Sequence, residues 1–206
     1  MNIRRVPSGS PSLFCNGRSR NRINRSFNVA RFVHGGDGCS TRSPEETMTA
    51  ERAAVQLRDV CRENWLACAK LTLPTDQAGF VAPNVYSIAE SRFEPHYFPK
   101  AICAGDEVVG FLMYCPETDP PDPQLFWLFR FMLAGSQQRR GYGKDALQLA
   151  IVEMCEKGAR RIRTMHKPTN TIAARLYDGA GFRKVGVLDD GDVELELLPA
   201  SFTAGE

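Results

Sequence analysis

The chain has 206 residues, 43% hydrophobic and 24% charged, with a formal net charge of +2. This is a globular composition with length for one core-bearing domain and something extra, and no segment is apolar enough for a signal peptide or a membrane-spanning helix. The charge is uneven: residues 1–47 hold eight Lys and Arg against three Asp and Glu, whereas residues 48–206 hold eighteen against twenty-one.

Residues 1–47 have no acidic residue before Asp37 and are rich in Arg, Ser, Asn and Gly. They show no sustained apolar periodicity, so a disordered basic leader is expected. Three readings compete for it. An Arg/Ser-rich, acid-poor stretch fits a targeting segment. A basic arm fits nucleic acid, although a tail alone is a weak signal and such a partner is not expected. The third reading, slightly favoured, starts the protein at Met48, just before the first organised segment, and makes residues 48–206 the domain. Seven cysteines without a C-x-x-C pair read as small buried hydrophobes of a reducing, cytoplasmic compartment. His34, His96 and His166 lack ligand spacing, so no metal site is expected.

The organised region opens with a strand at Val55–Val60, which alternates. A helix is expected over Glu63–Leu71, with Trp65, Cys68 and Leu71 or Thr72 inward and Pro74 ending it. Asn84 is a plausible N-cap for a second helix, Val85–Phe93, stopped by Pro95. Lys100–Ala104 and Val108–Tyr114, joined by Gly105-Asp-Glu, read as an antiparallel hairpin. Cys115–Gln124, with Pro116, Pro120, Pro121 and Pro123, reads as a surface loop. The apolar run Leu125–Leu133 is a strand, and Asp145–Lys157 a helix with Leu147, Ile151 and Met154 on one face and Gly158 suited to its end. Arg160–Met165 is a further strand. Thr169 and Asn170 open a helix through Tyr177 that Gly181 closes, and Phe182–Val187 and Val193–Leu197 form a last hairpin. The sum is an α+β fold: a mixed, mostly antiparallel central sheet flanked by helices.

Between the strand ending at Leu133 and the following helix stands Gln138-Arg139-Arg140-Gly141-Tyr142-Gly143-Lys144. Gly141 and Gly143 let the backbone turn so that several N–H groups converge, at a helix N-terminus whose dipole favours an anion. Arg139, Arg140 and Lys144 add positive charge. The stretch reads as a phosphate cradle, with a basic solvated turn as the bland alternative. It lacks the Lys-Ser/Thr ending of a Walker A loop and the third glycine of the dinucleotide fingerprint.

The spacing Gln-x-x-Gly-x-Gly between strand and helix resembles the acetyl-CoA pyrophosphate loop of the GNAT acetyltransferase superfamily. Downstream, Asn170-x-x-Ala173-x-x-Leu176-Tyr177 followed by Gly181-Phe182 is similar to the superfamily's other hallmark. Asn170 and Tyr177 are seven apart, on one helical face kept slim by Ala173 and Ala174. The resemblance covers about residues 53–198. It implies acetyl-CoA as co-substrate without a metal, main-chain contacts from Phe131, Met132 and Leu133, a pyrophosphate on Gln138 to Lys144, cofactor contact from Asn170 and Ala173, and Tyr177 as the acid that protonates the leaving thiolate. Three stretches, Asn84–Glu90, Val109–Tyr114 and Trp127–Met132, are similar to the spermine/spermidine (diamine) acetyltransferase branch, which implies a polyamine acceptor. A different amine (an amino acid, an antibiotic or a protein N-terminus) or a non-catalytic CoA-binding module stays open, and a homodimer is compatible with the family. Some polyamine acetyltransferases carry a carboxylate where this chain has Phe129 and Arg130. Glu90 and Glu94 are therefore the candidates for the base, with the attraction of a cationic amine as their alternative role, and His96 is a weaker base. Arg130 either pairs with a carboxylate or faces the cofactor.

Overall fold

The computed structural model describes residues 52–199, so the expected leader lies outside them. Seven strands, β1 (Val55–Asp59), β2 (Phe98–Ala104), β3 (Glu107–Thr118), β4 (Pro121–Leu133), β5 (Arg161–His166), β6 (Arg183–Val187) and β7 (Val193–Leu197), form one sheet in the order β1-β2-β3-β4-β5-β7-β6. β4 and β5 pair in parallel and the other neighbours antiparallel, giving the mostly antiparallel α+β sheet expected. A parallel pair needs a crossover, which α3 (Tyr142–Glu156) supplies. The remaining helices are α1 (Trp65–Lys70), α2 (Asn84–Glu90) and α4 (Thr171–Gly179).

The sheet separates two apolar layers. On one side Ala146, Leu147, Ala150, Ile151 and Met154 of α3 pack on Ile102, Leu112, Leu128 and Ile162. On the other, Cys68 of α1 and Ile88 of α2 cover Ala101, Cys103, Phe111 and Met113. Each fully buried aliphatic or aromatic side chain is worth about 1.5–3 kcal/mol relative to exposure. β3 lies inside both layers, and for that reason Val109–Tyr114 is buried throughout and reads as a continuous apolar run.

Three expectations are corrected. Trp65 is 44% exposed, and α1 stops at Lys70 because Leu71 is already extended ahead of Pro74. Asn84 is not an N-cap. Pro83 holds that position, and Asn84 sits buried in the first turn, donating from Nδ2 to the Cys68 carbonyl at 2.9 Å and so tying α2 to α1. The proline-rich stretch Cys115–Gln124 is not a loop but the protruding end of the β3–β4 hairpin, where Pro116 pairs with Phe126 and Thr118 with Pro121. β2 stops pairing with β3 at Tyr114, and β5 begins pairing with β4 only at Leu125. The hairpin end therefore has two open edges, and a proline without an N–H is tolerated there.

One irregularity positions everything that follows. β4 pairs with β3 as far as Leu133 but with β5 only from Leu125 to Leu128. Met113 pairs with Arg130 and Tyr114 with Leu128, so Phe129 is an extra, bulged residue. A bulge bends and twists its strand. The two parallel strands part there, leaving the β5-facing edge of Phe129–Leu133 without a strand partner.

Candidate active site

Just beyond the end of β4, Gly135–Gln137 makes a 3₁₀ turn and the chain enters the glycine loop. Arg139 has φ 63° and Gly141 φ 83°, two left-handed residues flanking Arg140. Alternation of this kind turns successive N–H groups to one side and makes an anion-binding concavity. Among the described residues, no carbonyl or side chain accepts from the backbone N–H groups of Arg139, Arg140, Gly141, Tyr142 or Gly143. Several polar donors in a row without acceptors are costly unless solvent or an anion takes them. The loop thus fits a diphosphate, with exposed Arg139, Arg140 and Lys144 around it. Tyr142 is buried at the start of α3. The Gln138 side chain forms a reciprocal amide pair with Gln77 at 2.8 and 2.9 Å and donates to the Leu133 carbonyl at 3.2 Å. It staples the segment before α2 to the end of β4.

In the fork between β4 and β5 lies a cavity of about 50 Å³, lined by Phe129, Phe131, His166, Asn170, Ala173 and Tyr177 and covered by Phe80 and Val81. Asn170 caps α4, its Oδ1 accepting from the Ala173 N–H at 3.1 Å, so the residue is held at the cavity with Nδ2 still free to donate. The other end of α4 fixes Tyr177. Gly181 adopts φ 94°, its N–H donates to the Asp178 carbonyl, and the Phe182 N–H donates to the Tyr177 carbonyl at 3.0 Å. This is a Schellman ending, whose apolar contact is here the Tyr177 and Phe182 rings, 5.5 Å apart. The Gly-Phe pair is thus the clamp on Tyr177. Burial raises the Tyr177 phenol above its ordinary range, with the Thr164 hydroxyl pulling the other way. The group stays protonated through neutral pH.

On the opposite sheet face, α2 brings up Glu90. Its Oε2 is buried and has no hydrogen-bond donor among the described residues, and the carboxylate stands 3.6 Å from the Arg130 guanidinium. Arg130 therefore pairs with a carboxylate; its Nε also donates to Ser87 Oγ at 3.1 Å, and the group lies over the Phe129 ring. Burial raises the Glu90 carboxyl; Arg130 opposes this and Glu94 adds to it. Glu94 stands 3.9 Å from His96 Nε2. Burial pushes the Tyr97 phenol and the Cys115 thiol up to about 12, so neither supplies a base near neutral pH. The structure gathers Phe131, Asn170, Ala173 and Tyr177 at the fork and the glycine loop beside them, while Glu90 and Glu94 lie behind Phe129.

Sequence reasoning missed His166, which lines the fork. Its Nδ1 is 2.8 Å from the Lys167 carbonyl; a carbonyl only accepts, so Nδ1 carries the hydrogen, and in the neutral ring Nε2 is the acceptor. It missed Gln77 and Arg52 as well, because neither stands in a local pattern. A larger groove of about 780 Å³ between β1 and α3 contains Lys100, which is ion-paired with Glu153 and with Asp59 at 2.7 Å. Tyr114 donates to Glu153 at 2.7 Å. These groups satisfy one another, and the groove lies away from the fork.

The sheet forked between two parallel strands and the anion cradle at the following helix agree with the resemblance to the acetyl-CoA-dependent GNAT transferases. Residues 58–182 match the model of the acetyltransferase (GNAT) family, and the chain belongs to that family of acetyl-CoA-dependent N-acetyltransferases. Solved structures similar to it include the aminoglycoside acetyltransferase AAC(6')-Ib in complex with coenzyme A (TM-score 0.60, 17% identity, covering 70% of this chain and 95% of that one). Others are an acetyltransferase from Thermus thermophilus (0.56, 19%, 71% and 98%) and Ard1 from Thermoplasma volcanium (0.58, 15%, 72% and 99%). No curated protein matches the chain by sequence. Among the described residues, no helix is long and apolar enough to cross a membrane, and no group of three or more His, Cys, Asp or Glu converges as metal ligands.

Proposed function

We propose that this protein transfers the acetyl group of acetyl-CoA to a primary amine of a small molecule, a polyamine such as spermidine or spermine. The observation that carries the reading is the adjacency of the unpaired N–H groups of Arg139–Gly143 and the β4–β5 fork with Tyr177 in it. When bound, acetyl-CoA supplies an activated thioester carbonyl. Gln138 to Lys144 hold its diphosphate, and the free β4 edge at Phe131, Met132 and Leu133 offers main-chain partners to its amide-bearing arm. Asn170 and Ala173 border that arm, and the Tyr177 hydroxyl gives its proton to the departing sulfur.

A free alkylamine is mostly protonated near neutral pH and has to lose a proton before it can attack. Glu90 supports the polyamine reading because its buried Oε2 lacks a donor among the described residues and an ammonium supplies one. Glu94 adds negative charge on the same approach. For the base itself a second residue has support: the free Nε2 of His166 lines the same cavity as Tyr177. Loss of the acidic limb of the rate profile in Glu90→Gln but not in His166→Gln assigns the proton to Glu90, and the reverse assigns it to His166.

The test is calorimetric titration of the protein with acetyl-CoA, then a thiol-release screen over polyamines, amino acids, aminoglycosides and peptides. Binding with turnover on spermidine or spermine is the expected result. Turnover only on another amine moves the acceptor, and binding without turnover leaves a CoA-binding module. No binding sinks the reading of Gln138–Lys144. The free cysteines of the described residues accord with a reducing, cytoplasmic setting.

A further inference from the structure

Arg52 lies outside the span 58–182 that matches the family, yet its side chain makes three contacts with the glycine loop and the first turn of α3. Nη1 donates to the Arg140 carbonyl at 2.8 Å, Nη2 forms an ion pair with Asp145 in the first turn of α3, and the guanidinium lies 5.4 Å from the centre of the Tyr142 ring.

The Arg140 carbonyl and the Gly141 N–H share one trans peptide plane. In such a plane the two groups point in opposite directions. A donor held on the carbonyl therefore fixes the aim of the N–H on the far side, and that N–H is among those without an acceptor. Gly141 needs this restraint, since a glycine resists rotation of the plane less than any other residue. Asp145 raises a second problem. A carboxylate in the first turn suits the helix dipole but repels a further anion at the same helix end. The Arg52 charge cancels it.

We propose that Arg52 is a positioning residue for the acetyl-CoA diphosphate: it aims the Gly141 N–H into the cradle and neutralises Asp145. The proposal rests on the reading of Gln138–Lys144 as the diphosphate site.

The full-length protein and its Arg52→Ala, Arg52→Lys and Arg52→Ala/Asp145→Asn variants are titrated with acetyl-CoA and with S-acetylpantetheine, which lacks the diphosphate. Arg52→Ala weakens acetyl-CoA about tenfold, roughly the worth of one charge-assisted hydrogen bond. The loss falls on KM for acetyl-CoA rather than on kcat, and the affinity for S-acetylpantetheine stays the same. Arg52→Lys, which keeps the charge without the fork, recovers part of the loss, and so does removal of the Asp145 charge. Unchanged or tighter acetyl-CoA binding by Arg52→Ala overturns the proposal, and so does an equal loss for both ligands, the mark of general damage. If the unaltered protein does not bind acetyl-CoA, the cradle reading fails and this proposal goes with it.

Discussion

The two sides of the reacting centre are built from different material. The proposed cofactor side is mostly backbone: N–H groups from Arg139 to Gly143 that find no acceptor among the described residues, a strand edge freed by the bulge at Phe129, and a helix capped by Asn170 and closed at Gly181. The proposed acceptor side is made of side chains on α2 and the turns after it: Glu90 against Arg130, and Glu94 against His96. Backbone recognition demands glycines and caps at fixed offsets, and so leaves a pattern in the sequence. A pocket of side chains needs only complementary charge and shape, which many sequences supply. The cofactor is therefore the better defined partner and the amine the freer one.

The harshest break of this contrast is Gly141→Val. The position has φ 83°, where a branched residue is strained, and an added Cβ runs into Arg52 Nη1. The conformation is what requires the glycine; the end of the flexible Arg52 side chain can move aside, at the cost of its bond to the Arg140 carbonyl. Acetyl-CoA affinity should fall about a hundredfold in calorimetric titration, the sum of a strained backbone and a displaced donor. Gly143→Ala is the control. An added Cβ there meets Leu133 Cδ1 at 3.4 Å, close to ordinary contact, so affinity should change by no more than about threefold. Equal effects at the two glycines would mean that backbone geometry is not what binds the diphosphate.

Tyr177→Phe tests the point where the two sides meet. The substitution keeps the ring against Phe182 and removes only the hydroxyl, so acetyl-CoA affinity should hold while kcat falls by roughly tenfold or more. An unchanged kcat would remove Tyr177 from the chemistry and leave it as the buried end of α4.

What the sequence disclosed follows the same division. Gln138–Gly143 and Asn170–Phe182 were legible because each is a local device, complete within a dozen or so residues. Gln77 and Arg52 were not, since their partners in the glycine loop stand 61 and 88 residues away. Helical spacing places Trp65 inside, but α1 is too short for that spacing to choose a face. The prolines between Cys115 and Gln124 signalled a loop because nothing local says that both edges of that hairpin are open. The likeness to the polyamine branch rests partly on Val109–Tyr114, where Val109 and Phe111–Tyr114 have essentially no exposed surface. Core residues of that kind report packing rather than the choice of acceptor.

Glu90→Gln is the mildest probe and the one that sharpens the acceptor side. A carboxyl raised by burial binds its proton more tightly in the folded chain than in the unfolded one. It contributes stability below the unfolded pKa, and that contribution is lost as pH rises through the folded value. At neutral pH an ionised Glu90 therefore works against the fold. Glutamine should leave the melting temperature at pH 7 unchanged or slightly higher, because Arg130 keeps Ser87 Oγ and the Phe129 carbonyl as acceptors. If Glu90 captures or deprotonates the amine, kcat/KM for the amine rises with pH through an apparent pKa above the usual carboxylate range, and Glu90→Gln abolishes that limb. KM for the amine should rise about fivefold near neutrality, the scale of one partly screened charge contact. A lower melting temperature with an intact pH profile would make the Glu90–Arg130 pair a structural tie between α2 and β4, and the acceptor would then have to be sought at His166.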